Sequence, residues 1–240
     1  MKVLIAIPAY NEEASIGAVL LELEKFHPRE HILVVDDGSA DATAKIARDA
    51  GVRVISLAIN LGVGGAMGTA YQYAAANAYD QMIQVDADGQ HRPDHLAEMF
   101  DLLADADIVV GSRFAGAGKF KSTITRRMVQ RVIAGVVSLY TRTKLTDVTS
   151  GFRATGPRAI ELFAVHYPVE WLGDTVESLV FASREGLVIA EKPVQMNERM
   201  AGVPSQSIFR ATLYTLRIFF ILLLAIVRSA PPGVSKRRKK

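Results

Sequence analysis

Two carboxylates follow a buried apolar run in the segment Val85-Asp86-Ala87-Asp88-Gly89-Gln90-His91. Residues 82–85 are predicted to form a strand, so that Asp86 and Asp88 stand just beyond its carboxyl end. Carboxylates in this arrangement suit a hard divalent cation, which usually keeps phosphate oxygens and waters as its other ligands. Such a cation would neutralise the charge on a departing diphosphate. A lone Asp-x-Asp is also compatible with a turn in which aspartate caps the backbone.

Short apolar runs alternate with helical stretches through the first half of the chain. Strands are predicted at residues 3–7, 32–35, 52–57, 82–85 and 108–110, and helices at 12–26, 64–78 and 94–103. A further helix is predicted after Asp41, which suits its N-cap position. Continuous apolar strands separated by helices are typical of a parallel sheet covered on both faces. We therefore predict an α/β fold with a Rossmann-like, mostly parallel sheet flanked by helices.

Polar side chains cluster at the carboxyl ends of these predicted strands. They are Tyr10, Asn11, Asp36, Asp37, Asp86, Asp88 and Arg113. In open α/β sheets the ligand crevice lies beyond this edge, and an acidic residue there can accept hydrogen bonds from a base or ribose. This convergence favours a metal and nucleotide site over simple capping. Tyr10 can pack against a base, whereas Glu12 can accept from it or stabilise a helix N-terminus.

Several other functions are disfavoured by the sequence. A hydride-transfer enzyme is disfavoured because the glycine-rich residues 60–66 do not match a dinucleotide fingerprint. They follow the third strand instead of the first, and Met67 stands in place of the third glycine. The chain has 5 histidines without triad or zinc spacing, and it has no cysteine for a disulfide or thiolate metal site.

The formal net charge is +3, with a basic tail at residues 236–240 that suits an anionic membrane surface; no nucleic-acid partner is expected.

The second half of the chain is more apolar. It contains predicted helices at 128–140 and 171–183, a turn at 149–153, and a strand at 187–196 interrupted by proline. Residues 208–227 form a strongly apolar predicted helix, but its uninterrupted core of 218–227 is shorter than the ~20 residues that a bilayer crossing needs. An interfacial or partner-docking helix is favoured, with a tilted span including 213–216 as the alternative. Self-association or contact with a membrane protein through this helix is also open.

Five motifs then identify a family: Ile7-Pro8-Ala9-Tyr10-Asn11-Glu12-Glu13, Val34-Val35-Asp36-Asp37-Gly38-Ser39, Asp86-Ala87-Asp88-Gly89-Gln90-His91, Gly111-Ser112-Arg113-Phe114 and Thr149-Ser150-Gly151-Phe152-Arg153. Together they closely resemble family 2 glycosyltransferases of GT-A fold, in the dolichol-phosphate mannosyltransferase-like branch. The match runs from residue 2 to about 203. We therefore divide the chain into a catalytic domain, 1–203, and a membrane-associating helix with its basic tail, 204–240.

The resemblance implies a role for individual residues. The nucleotide-contacting set is Pro8, Tyr10, Glu12 and Asp37, and the set around Mg²⁺ or Mn²⁺ is Asp86, Asp88 and Gln90. The resemblance also places Arg113 and Arg126, with Arg127 or Arg131 as further candidates, on an acceptor phosphate. Guanidinium groups match phosphate oxygens well. Arg199 corresponds to an arginine in a loop that closes on the donor diphosphate.

The expected reaction is the inverting transfer of a hexose from a UDP- or GDP-sugar to a polyprenyl phosphate. The enzyme is expected at the cytoplasmic face of the cell membrane, peripheral or monotopic, because residues 1–5 enter a strand without a signal-peptide pattern. One alternative acceptor is a sugar hydroxyl of a cell-envelope glycan, which needs a general base such as Asp174. Asp174 can equally be a charge in the first turn of a helix. A nucleotidyltransferase is a remote alternative, since Tyr10-Asn11-Glu12 stands where a glycine- and lysine-rich loop is usual.

Overall fold

The computed structural model of the chain describes residues 1–114, 124–168 and 174–198, with backbone alone for residues 124–129 and Asp174. The predicted apolar helix and basic tail, 204–240, therefore lie outside the described residues, and so does Arg199. Within the described ranges, no helix is both long enough and apolar enough to cross a bilayer.

A single sheet of seven strands forms the centre of the fold, in the order β3-β2-β1-β4-β6-β5-β7. Its strands are β1 Val3–Ala9, β2 Ile32–Asp36, β3 Arg53–Ser56, β4 Gln81–Gln84, β5 Ile108–Ser112, β6 Arg153–Thr155 and β7 Ile189–Pro193. All pairings are parallel except those of β6, which runs antiparallel to β4 and β5. The predicted mostly parallel sheet is confirmed.

Helices cover both faces of this sheet. They are α1 Ile16–Leu23, α2 Thr43–Asp49, α3 Gly62–Ala76, α4 Leu96–Asp101, α5 Ile124–Thr141, α6 Pro157–Val165 and α7 Asp174–Arg184, with short 3-10 turns at Arg29–His31, Pro93–His95 and Leu102–Ala104.

Two separate apolar cores lie on the two faces of the sheet. Leu4 and Leu33 belong to one core, with residues of α3, α5, α6 and α7, whereas Ile5 and Val34 belong to the other, with residues of α1 and α4. Successive residues of a strand point to opposite faces, so a strand buried on both sides must be apolar throughout. This explains why the central strands read as continuous apolar runs.

Two elements of the fold were not predicted. The predicted turn at 149–153 ends in β6, whose three residues are too few to show a strand period. Helix α6 follows it directly, with Gly156 at the N-cap position and Pro157 as its first residue. Proline is favoured at that position because the first backbone amides of a helix have no partner within it. That signal was present in the sequence.

Candidate active site

The loops after β1, β2, β4 and β5 form the crevice at the carboxyl edge of the sheet. Pro8 pairs with Val35 and Ala9 with Asp36 in the parallel register of β1 and β2. On the other side of β1, Ala6 pairs with Gln84, the last residue of β4. This register brings the loop after β1 between the two aspartate-bearing loops, as the sequence predicted.

The loop after β1 is tied to the loop after β2. The Asn11 amide donates to Ser39 Oγ at 3.0 Å, and Asn11 itself has a positive φ of 53°. Glu12 begins the entry to α1, where its carboxylate accepts a 2.6 Å hydrogen bond from the Ser15 hydroxyl. Tyr10 remains 48 % exposed at the mouth of the crevice. The exposed ring is accessible, and its contact with a base stays a prediction.

Asp37 is buried and supports the loop after β3. Its two carboxylate oxygens accept hydrogen bonds from the backbone amides of Leu61 and Gly62, at 2.7 and 2.9 Å. These amides open α3, so that Asp37 caps the helix from a neighbouring strand. Burial raises the pKa of Asp37, and the two amide hydrogen bonds offset only part of that effect. Its contact with a nucleotide stays a prediction beside this observed capping role.

The Asp86 carboxylate is held from two sides. Its Oδ1 accepts a 2.9 Å hydrogen bond from Gln84 Nε2, and its Oδ2 lies 3.5 Å from Nε2 of the buried His91. The His91 Nδ1 accepts from the Asp86 amide at 2.9 Å, which places the ring proton on Nε2, facing the carboxylate. The His91 ring stacks on Phe152, with centroids 4.5 Å apart. This aspartate therefore has a defined orientation.

Asp88 forms the turn of the same loop. Its Oδ1 accepts from the Gln90 amide at 2.9 Å, and Gly89 between them has a φ of 77°, which glycine adopts without strain. The segment after β7 clamps this turn, because Asn197 donates through its backbone amide to the Gln90 carbonyl at 2.9 Å and through Nδ2 to the Gly89 carbonyl at 3.4 Å. The chain continues from Asn197 towards Arg199, which lies outside the described residues.

Arg113 forms an ion pair with Asp147 at the end of β5. Its Nε and Nη2 donate to the two carboxylate oxygens at 2.6 and 2.8 Å, and Nη2 also donates to Thr149 Oγ1 at 2.9 Å. Burial alone would raise the pKa of Asp147, but the hydrogen bonds and charge of Arg113 outweigh it and hold that pKa below its ordinary value. Glu191 of β7 accepts from the amides of Thr146 and Asp147. Arg113 is therefore oriented by a buried network.

Four predicted site residues have no described side chain. Arg126 and Arg127 lie in the first turn of α5 and Asp174 is the first residue of α7, but only their backbones are described. Arg199 lies outside the described ranges altogether. Their roles stay predictions.

The described residues match a hard divalent cation in donor type. Asp86 and Asp88 offer carboxylate oxygens, the ligands that Mg²⁺ and Mn²⁺ prefer. Across the described ranges, no group of three or more His, Asp and Glu side chains is arranged to hold a metal. The protein would supply few ligands, and diphosphate oxygens and water would complete the shell.

Sequence reasoning missed three residues of the site: Gln84, Asp147 and Asn197. Gln84 did carry a signal, because it is a polar side chain between the apolar residues Ile83 and Val85, two positions before Asp86. Asp147 and Asn197 carried none, because each acts on a residue more than thirty positions away in the chain.

A solved structure confirms the fold class. The chain resembles glucosyl-3-phosphoglycerate synthase from Mycobacterium tuberculosis, solved in complex with Mn²⁺, UDP and glucosyl-3-phosphoglycerate, with a TM-score of 0.71. The two sequences are 19 % identical, over 97 % of this chain and 82 % of that one. With the sheet order and strand-end loops described above, this likeness establishes a GT-A fold.

The sequence comparisons narrow that class to a family. The profile described as "Glycosyl transferase family 2" matches residues 4–162, and the chain belongs to this family of glycosyltransferases. It is 34 % identical to the undecaprenyl-phosphate mannosyltransferase of Micrococcus luteus, over 86 % of this chain and 88 % of that protein. It is 29 % identical to the polyprenol monophosphomannose synthase of Mycolicibacterium smegmatis, over 86 % and 81 %. These relatives place it in the dolichol-phosphate mannosyltransferase-like branch, as the motifs predicted.

Proposed function

We propose that this glycosyltransferase transfers a hexose from a UDP- or GDP-sugar to a polyprenyl phosphate, with inversion at the anomeric carbon. The observation that carries the proposal is the 34 % identity to an undecaprenyl-phosphate mannosyltransferase over nearly the whole of both chains. The arrangement at the carboxyl edge of the sheet supports it, because carboxylates follow β4 and an oriented arginine follows β5, with only β6 between these two strands.

The donor would lie across the loops after β1, β2 and β4. In this proposal Pro8 and Tyr10 would border the base, and Glu12 and Asp37, which follow β1 and β2, would complete the nucleotide contacts. Asp86 and Asp88, with Gln90 beside them, would hold Mg²⁺ or Mn²⁺, which neutralises the charge on the departing nucleoside diphosphate when it is bound. Because His91 and Gln84 fix Asp86, the carboxylate needs little reorganisation when the donor arrives.

The acceptor phosphate would lie on the β5 side of the crevice. Arg113 is held by Asp147 and Thr149, and α5, which carries Arg126, follows in the chain. An acceptor phosphate oxygen attacks the anomeric carbon as the bond from that carbon to the donor diphosphate breaks. The phosphate is already an anion, so this acceptor needs no general base. Arg113 and Arg126 would align it for in-line attack.

A lipid acceptor also requires access to a membrane. The apolar helix predicted at 208–227 and the basic tail at 236–240 suit a peripheral or monotopic attachment to an anionic membrane surface. We propose that this attachment is at the cytoplasmic face, where nucleotide-sugars are supplied.

The test is a lipid-extraction assay with purified protein, undecaprenyl phosphate and a panel of labelled nucleotide-sugars in the presence of Mg²⁺ or Mn²⁺. We expect one donor to give label in a lipid phosphate that mild acid releases. Undecaprenol without phosphate is the matched control acceptor and should remain unlabelled. Label transferred equally well to undecaprenol, or no lipid label with any donor, would contradict the proposal.

A further inference from the structure

Gln84 is a buried polar residue beside one of the two carboxylates of the site. It ends β4, its residue surface is 6 % exposed, and its Nε2 donates to Asp86 Oδ1 at 2.9 Å. An uncompensated amide in this position would be costly, and an apolar residue would continue the strand equally well. The amide therefore has a use that the core itself does not require.

Gly151 lies close to this amide and to the carboxylate oxygen that accepts from it. A Cβ atom at residue 151 would lie 2.7 Å from Gln84 Nε2 and 3.4 Å from Asp86 Oδ1. Gly151 is not among the glycines with positive φ, so the close approach of the glutamine is what requires glycine here. The loop of residues 149–153 therefore packs against the hydrogen-bonded pair of Gln84 and Asp86.

A second glutamine of the same strand shows what a purely structural role looks like. Gln81 begins β4, is also 6 % exposed, and donates through Nε2 to the backbone carbonyl of Phe100 at 3.2 Å. It lies at the opposite edge of the sheet from the crevice. The two residues match in type, strand and burial, but only Gln84 donates to a carboxylate of the site.

We infer that Gln84 is a positioning residue, which sets the orientation of Asp86 towards the divalent cation and is itself kept in place by Gly151. This inference rests on the proposed function, because it requires a cation at Asp86 and Asp88. Removing a hydrogen bond to a metal-ligating carboxylate typically weakens metal affinity 10- to 100-fold. The expected effect is therefore on cation binding more than on folding.

The first experiment compares Gln84→Met with Gln81→Met by titrating each protein with Mn²⁺ alone and following free Mn²⁺ by electron paramagnetic resonance. Both changes keep side-chain length and remove one buried amide hydrogen bond, so similar losses of melting temperature are expected. Gln84→Met should raise the Mn²⁺ dissociation constant about tenfold, whereas Gln81→Met should leave it unchanged. Equal Mn²⁺ affinity in the two variants would overturn the inference.

A second experiment changes Gly151, the residue that lies against the Gln84 amide. Gly151→Ala should displace the Gln84 amide, which is the end of a flexible side chain, and should weaken Mn²⁺ binding with little loss of stability. If it acts through Gln84, it should add no further loss in a protein that already carries Gln84→Met. Full additivity of the two changes would contradict the positioning role.

The proposed cation site is checked separately with Asp88→Asn. If this change leaves Mn²⁺ binding as in the original protein, the bound ion lies elsewhere, and both the proposed site and the role of Gln84 are wrong. If it abolishes binding while Gln84→Met has no effect, the cation site stands and only the inference about Gln84 fails.

Discussion

Replacing Asp147 by asparagine tests the buried ion pair at the end of β5. The side chain of Asp147 is fully buried and that of Arg113 is 14 % exposed, so water cannot replace the lost charge. Asparagine has almost the same shape and can still accept one hydrogen bond through its amide oxygen. What changes is that the guanidinium loses its counter-charge in a poorly solvated position.

The size of the effect follows from this burial. Breaking a buried ion pair by altering one partner costs about 3–5 kcal/mol, and the retained hydrogen bond places asparagine near the lower end. For a chain of this length, each kcal/mol shifts the melting temperature by about 2–4 °C. We therefore expect Asp147→Asn to lower the melting temperature by about 6–12 °C. Acceptor use should also fall, because Arg113 is no longer held.

The exposed pair of Arg92 and Asp94 provides the matched control. It joins the same residue types by two hydrogen bonds, but its side chains are 36 % and 40 % exposed. Exposed pairs contribute about 0–1 kcal/mol, so Asp94→Asn should change the melting temperature by less than about 4 °C. Equal shifts for the two variants, measured by circular dichroism at pH 7, would refute the reasoning from burial.

The same comparison has a defined pH dependence. The folded-state pKa of Asp147 lies below its ordinary value of 3.8, so the ionised carboxylate favours the folded state. Its contribution is complete above that ordinary value and is lost as the pH falls through the lower folded-state pKa. The gap in melting temperature between the original protein and Asp147→Asn should therefore be constant from pH 7 to 5 and narrow below about pH 4. A gap that widens in acid would contradict the assigned direction.

Three further changes test the proposed reaction. Asp88→Asn removes a charged ligand of the proposed metal and should abolish transfer. Its amide oxygen can still accept from the Gln90 amide, so little change in melting temperature is expected. Full activity in the nucleotide-sugar assay would exclude the metal role. Asp174→Asn should leave transfer to a lipid phosphate within about tenfold of the original rate, since an anionic acceptor needs no base; a loss of several orders of magnitude would favour a hydroxyl acceptor. Removing residues 213–240 should move the protein from the membrane to the supernatant on fractionation, and an unchanged membrane fraction would count against the apolar helix as the anchor.

The sequence was sufficient to predict the frame of the fold and the position of Asp86 and Asp88 beyond the end of β4. The strands β1, β2 and β5 could be predicted because burial on both faces makes them largely apolar along their length. Asp86 and Asp88 could be predicted as site residues because they directly follow the predicted strand at residues 82–85. In each case the signal is local, so that a window of a few residues contains it.

The long-range contacts that orient the side chains of the site could not be predicted from the sequence. Asp147 acts on Arg113, 34 positions earlier, and Gln84 is confined by Gly151 only because antiparallel β6 returns between β4 and β5. The third case is Asp37, whose capping of α3 was not predicted and whose contact with a nucleotide stays a prediction. Such contacts depend on which strands become neighbours, and apolar periodicity does not contain that information.

The segment 149–153 joins the two halves of the proposed site. Thr149 accepts a hydrogen bond from Arg113, and Gly151 lies against Gln84. The Phe152 ring stacks on His91. The Phe152 carbonyl accepts a hydrogen bond from the Gly111 amide at 2.8 Å. Arg153 then fixes the segment to α7 through Ser178. One buried loop thus contacts the surroundings of the donor-side carboxylate and of the acceptor-side arginine. Because in-line transfer is sensitive to displacements of about 1 Å, in the proposed reaction this loop would fix the distance between donor and acceptor without any of its side chains taking part in the chemistry.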